Sequence, residues 1–96
     1  MPEFCRIQYD HYYDQLGSQH VLVVVYEGGS AIDEVWSRSG SLDTEEEIQR
    51  IGDRQLTRLI NQMRDEGWDI VSKEEIQSLD TTPVSKTTTY QMQRGT

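Results

Sequence analysis

Between Thr44 and Glu66 the apolar residues recur at helical spacing, and this pattern constrains the fold more than any other in the chain. At about 100° per residue, Ile48, Ile51, Leu56, Leu59, Ile60 and Met63 fall within about half of a helix circumference. So broad a stripe suits a helix lying across a sheet. Thr44 and Glu47 have the spacing of a capping box, with Asp43 as an alternative cap. Glu45, Glu46 and Glu47 place negative charge at the positive end of the helix dipole, and Gly67 follows as a C′ residue. Gly52 sits near the middle of the apolar face, where glycine costs about 1 kcal/mol relative to alanine. Close backbone contact with Trp36 or Trp68 is the expected reason, with a plain kink as the alternative.

The segments on either side read as strands. Residues 4–13 alternate, with Cys5, Ile7, Tyr9, His11 and Tyr13 on one face. The run from His20 to Tyr26 is almost continuously β-branched, as expected of a central strand covered on both faces. Ile32–Arg38, which holds Val35 and Trp36, reads as a third strand in an antiparallel meander. Leu16-Gly17-Ser18 and Gly28-Gly29-Ser30 supply its turns. Beyond the helix, Trp68–Ile76 reads as a fourth strand and Lys86–Arg94 as a fifth. Residues 77–86 are expected to form a flexible loop, and 95–96 a frayed tail. The expected architecture is one α+β domain over residues 1–96, ordered β-β-β-α-β-β, with an antiparallel sheet of about five strands and the helix packed across one face.

Composition narrows the function. Hydrophobic residues make up 34% of the 96, so the core is small and association with a partner or a second copy would help to stabilise it. The formal net charge of −8 repels phosphate backbones and anionic lipid, which argues against direct nucleic-acid or membrane binding. The start of the chain lacks a basic segment followed by an apolar one, and the longest apolar run, Val21–Tyr26, is too short to span a bilayer. A cytoplasmic location is the resulting expectation.

The stretch Leu59-Ile60-Asn61-Gln62-Met63-Arg64-Asp65-Glu66-Gly67-Trp68-Asp69-Ile70-Val71-Ser72, followed by a polar loop and Thr89-Tyr90-Gln91-Met92-Gln93-Arg94, resembles the small DUF4177-type domains. The resemblance covers roughly residues 56–94. It implies an N-terminal strand pair, one amphipathic helix ending in Gly-Trp, and a closing hairpin. The tyrosine-rich N-terminal segment and the third strand depart from that pattern. The family has no established general activity, so the resemblance carries over no catalytic residue.

The residues offer little catalytic chemistry. His11 and His20, the only histidines, belong to no metal-ligand spacing. A Cys5–His pair on adjacent strands is one reading; a buried thiol and an exposed strand histidine is the plainer one. Glu27-Gly28-Gly29-Ser30 lacks the lysine of a phosphate loop. Glu74 and Glu75, neighbours on a strand, point to opposite faces and form no acid–base dyad. No enzyme activity and no cofactor are expected.

Two features point to a protein partner. Tyr9, His11, Tyr12, Tyr13, Tyr26 and Trp36 supply amphipathic contact area, and Tyr9–Gln15 is the segment expected to present a strand edge to another chain. Arg50, Arg54 and Arg58 form a basic stripe on the outer side of the helix, suited either to local pairs with Glu46 and Glu47 or to docking an acidic partner. The leading expectation is therefore a non-catalytic interaction module: an adaptor, an assembly factor or a small subunit, with a homodimer as one form. One alternative is an acidic inhibitor or nucleic-acid mimic, phage-encoded for example, with Asp65, Glu66, Asp69, Glu74 and Glu75 clustered on one face. Another is a small-molecule-binding domain with a pocket near Trp36 and Trp68.

Overall fold

Alternation on both sides of one amphipathic helix produces a single sheet with a single cover. The computed structural model describes residues 2–13, 17–27, 32–78 and 84–95. Its elements are β1 (Glu3–Tyr13), β2 (Ser18–Tyr26), β3 (Ile32–Gly40), a 3-10 turn (Leu42–Thr44), α1 (Glu45–Asp65), β4 (Trp68–Ser78) and β5 (Val84–Arg94). All strand pairs are antiparallel, and the order across the sheet is β3-β2-β1-β5-β4. The fold is the expected five-stranded α+β arrangement, with a meander over β1 to β3.

Strand order corrects two expectations. β1 is the middle strand, bonded to β2 along one side and β5 along the other, so its tyrosines present no free edge. β2 is second from the edge and is covered by the helix on one face only; Val21, Val23 and Val25 lie on the other face and stay half-exposed. β-branched continuity reflects the conformational preference of a strand as well as two-sided burial, and here the preference accounts for it. The hairpin formed by β4 and β5 also runs further than its polar residues suggest. Gln77 pairs with Lys86 and Ser78 with Ser85, because ladder bonds come from the backbone and a solvated face tolerates polar side chains. Residues 79–83 of the expected loop lie outside the described residues, as do Leu16 of the first expected turn and Gly28-Gly29-Ser30 of the second; Ser18 of the first turn already begins β2.

The helix ends as the sequence indicates and begins differently. Gly67 adopts a left-handed φ of 97°, and its N–H bonds the Arg64 carbonyl at 3.0 Å, closing the last turn. At the start, Thr44 makes no side-chain cap. The preceding 3-10 turn sets it at φ −104° and ψ 1°, outside the extended region that a capping hydroxyl needs, and Thr44 Oγ1 donates to the Ser41 carbonyl at 2.9 Å instead.

The apolar stripe meets the sheet as its spacing predicts. Ile48, Leu59 and Met63 are buried, with Ile51, Leu56 and Ile60 half-buried beside them. Leu59 and Met63, with Leu56 and Ile60 beside them, pack on Cys5, Ile7 and Tyr9 of β1, Leu22 and Val24 of β2, Met92 of β5 and Trp68 of β4. Burying a large apolar side chain fully contributes roughly 1.5–3 kcal/mol, so a core of this size leaves little surplus over chain entropy. Gly52 is the point of closest approach, and its neighbour is Tyr9 rather than either tryptophan: a Cβ there would stand 2.7 Å from Tyr9 Cζ and 2.9 Å from Cε2, and closer still to the hydroxyl.

Candidate functional site

Period-two alternation in β1 and β2 carries polar rings under the helix. Tyr9 and His11 continue the inward phase of Cys5 and Ile7, and His20 that of Leu22 and Val24. His11 and His20 are direct cross-strand partners, and their rings stack at 3.9 Å between centroids. Tyr9 Oη lies 2.8 Å from His20 Nδ1. Trp36 packs near both, 6.5 Å from the Tyr9 ring and 6.3 Å from the His20 ring. The expected exposed strand histidine is thus absent: both histidines are buried.

Burial sets the protonation of this layer. It lowers the His20 pKa to about 4, with the neighbouring His11 adding to the effect. Burial also lowers the His11 pKa, partly opposed by Glu45, whose Oε1 is 2.9 Å from Nε2. Tyr9 is pushed above the ordinary phenol value, first by burial and then by Asp53. A protonated phenol and a neutral imidazole therefore share one hydrogen bond at Nδ1, its direction set by the His20 tautomer. The other ring nitrogen, His20 Nε2, is buried and has no hydrogen-bond partner among the described residues. Cys5 lies at the opposite end of β1, paired with Tyr26 and Met92. Six residues of extended chain, ~20 Å, separate it from His11, which rules out a Cys–His nucleophile.

Beside this layer a polar cavity of about 140 Å³ opens between α1 and the sheet. Gln49, Asp53 and Leu56 line it from the helix, and Tyr9 and His11 from β1. Lys86, Thr88 and Tyr90 of β5 and Lys73 and Glu75 of β4 complete it. The β4 residues reach it through a bulge. Ile70 pairs with Met92 but Ser72 pairs with Gln91, so Val71 is the extra residue and the alternation changes phase there. Lys73 and Glu75 consequently face the helix, whereas an unbroken strand would have turned them away. Trp36 packs beside Tyr9 and His20, whereas Trp68 packs against Tyr26 and under the Arg94 guanidinium. Among the described residues, no three of His, Cys, Asp and Glu gather as a metal site would require.

The opposite face of the sheet carries no helix. Its three middle strands present Val21, Val23 and Val25 from β2, Arg6, Gln8 and Asp10 from β1, and Thr87, Thr89, Gln91 and Gln93 from β5. Phe4 and Tyr12, both exposed, stand at the two ends of the β1 row. Arg6 and Asp10 are the only charged residues on this face of the three strands. The Asp10 carboxylate accepts from Gln8 Nε2 at 3.0 and 3.2 Å and from Thr87 Oγ1 at 2.9 Å.

The residues expected to bind a partner are therefore dispersed. Tyr9, His11 and Trp36 join the layer under the helix, where Tyr13 leans on His11 at 5.1 Å between centroids. Tyr26 packs on Trp68, and only Tyr12 turns to the open face. Arg50, Arg54 and Arg58 are exposed along the outer side of α1, and none has a carboxylate within ion-pair distance among the described residues. The acidic residues do not share a face: Asp69 and Glu74 point to the open side, and Glu75 to the helix side, where Lys86 is 3.0 Å away. No helix among the described residues is long and apolar enough to cross a membrane. No protein-family model and no curated protein matches the chain.

Proposed function

We propose that this domain is a non-catalytic protein-interaction module whose recognition surface is the helix-free face of the sheet. The observation that carries the reading is charge depletion. In a chain of net charge −8, the middle of this face holds one arginine and one aspartate, and the acids Glu34, Asp69 and Glu74 stand on the edge strands. A charge-poor face that carries a row of valines and is bordered by acids suits a protein interface, whose centre is depleted of charge. Five strands spaced about 4.8 Å apart and about 33 Å long offer roughly 800 Å², the area each partner gives up in a standard interface. Tyr12 belongs to this surface; the buried tyrosines shape the domain from within.

A second copy is the simplest partner. Two such faces meet without opposing like charges at their centres, and a two-fold arrangement brings the valine row of each copy onto the other. The arginine stripe would serve a separate, acidic partner. The resemblance to DUF4177-type domains adds no catalytic residue that would compete with this reading.

The test is sedimentation velocity over a concentration series on the wild type and Val23→Lys. The reading expects association in the wild type and a monomer in the variant, with identical far-UV circular dichroism. A wild type that is monomeric throughout overturns the second-copy reading. A Val23→Lys variant that associates as the wild type does removes the face itself.

A further inference from the structure

We propose that the cavity between α1 and the β4–β5 hairpin is a binding site for a small zwitterion of the free α-amino acid class. Residues 73 and 86 are the only lysines in the chain, and both line this one space. Their situations differ. Lys86 is committed to Glu75 at 3.0 Å. Lys73 lies over the Tyr90 ring, 5.5 Å from its centroid, with no carboxylate within ion-pair distance among the described residues. On the opposite wall, one oxygen of Asp53 accepts from Gln49 Nε2 at 2.9 Å, and no lysine or arginine pairs with the carboxylate. A lysine and an aspartate, neither in an ion pair among the described residues, thus face the same polar space from the hairpin and from the helix.

That arrangement fits a ligand bearing both charges. Its carboxylate would meet the Lys73 ammonium, and its ammonium the free oxygen of Asp53. The Leu56 side chain and the Tyr90 ring provide apolar wall for a short side chain. A cavity near 150 Å³ holds a molecule of about six non-hydrogen atoms, the size of alanine. A ligand with one charge would make one of these contacts and leave the other group facing solvent, so the zwitterion gains two charge-assisted contacts where either half-molecule gains one.

The proposal is independent of the open sheet face, and the experiment reads only the cavity. ¹H–¹⁵N spectra of the full chain are recorded during titration with L-alanine, and in parallel with acetate and with ethylamine. The expected result is saturable shifts with alanine centred on Asp53, Lys73 and Thr88, with binding at least about tenfold weaker for either half-molecule. Lys73→Met, which keeps the apolar stem, and Asp53→Asn should each abolish the response while leaving the rest of the spectrum in place. Absence of saturable shifts with alanine overturns the proposal. So does an equal response to acetate, which would make this a simple anion site, or alanine binding that survives both substitutions.

Discussion

Gly52 of the helix and Tyr9 of the central strand occupy adjoining space so closely that any Cβ at position 52 would overlap the Tyr9 phenol. The same phenol holds His20 Nδ1 at 2.8 Å, so the glycine fixes the distance between helix and sheet at the buried polar layer.

Gly52→Ala should therefore destabilise the domain although alanine favours the helix by about 1 kcal/mol. Overpacking typically costs about 1–3 kcal/mol, and the rigid, buried Tyr9 ring has little room to yield. Urea denaturation should show a lowered midpoint for Gly52→Ala. The loss should be smaller when measured in a Tyr9→Phe background, because the nearest obstructing atom is gone. A stabilised Gly52→Ala would show that helix and sheet are further apart than described.

Stability should fall in mild acid. His20 titrates near 6.5 when unfolded and near 4 when folded, so the unfolded chain binds the extra proton between those values. The contribution is complete above about pH 6.5 and is lost as pH falls towards 4. The shift corresponds to ~3 kcal/mol at its limit. His11, lowered in the same direction, steepens the loss. Urea denaturation at pH 7 and pH 5 should show the decline, and His20→Asn should show a smaller difference between the two pH values. An equal decline in that variant would assign the effect to other groups.

The Cys5 thiol should be inert in the native state. It is fully buried, and burial raises its pKa to about 11, so almost no thiolate exists at pH 8. An aromatic disulfide reagent should label the chain only as fast as it unfolds, and at once in denaturant. Rapid native labelling at pH 8 would contradict the burial.

Removing the arginine stripe should barely affect the fold. With no carboxylate paired to Arg50, Arg54 or Arg58, each exposed position should tolerate alanine within about 0.5 kcal/mol. Thermal denaturation of the triple alanine variant measures this. A marked loss would mean that the pairs with Glu46 or Glu47 form in solution.

The sequence spoke most clearly where a signal was local. Helical spacing from Ile48 to Met63 and the glycine at 67 are properties of consecutive residues, so the helix and its end were legible. Strand order was not, because the pairing of β5 with β1 joins residues up to 91 positions apart and no turn specifies it. That omission made the tyrosines of β1 read as an edge. The capping box failed because a 3-10 turn at Leu42–Thr44 redirected the Thr44 hydroxyl. The cavity was hidden by one residue: the bulge at Val71 turns Lys73 and Glu75 towards the helix, and nothing in the order Ile70-Val71-Ser72 marks it. His20 could have been found, since it keeps strict phase with Leu22 and Val24.

The helix-free sheet face, proposed as the recognition surface, can be probed at its own methyl groups. Methyl spectra of Val21, Val23 and Val25 are recorded with a soluble gadolinium chelate at low and high protein concentration. Strong paramagnetic relaxation is expected when dilute and protection when concentrated, with protection lost in Val23→Lys for the remaining two valines. Relaxation of these methyls that is equally strong at every concentration would contradict the proposal for a second copy as partner.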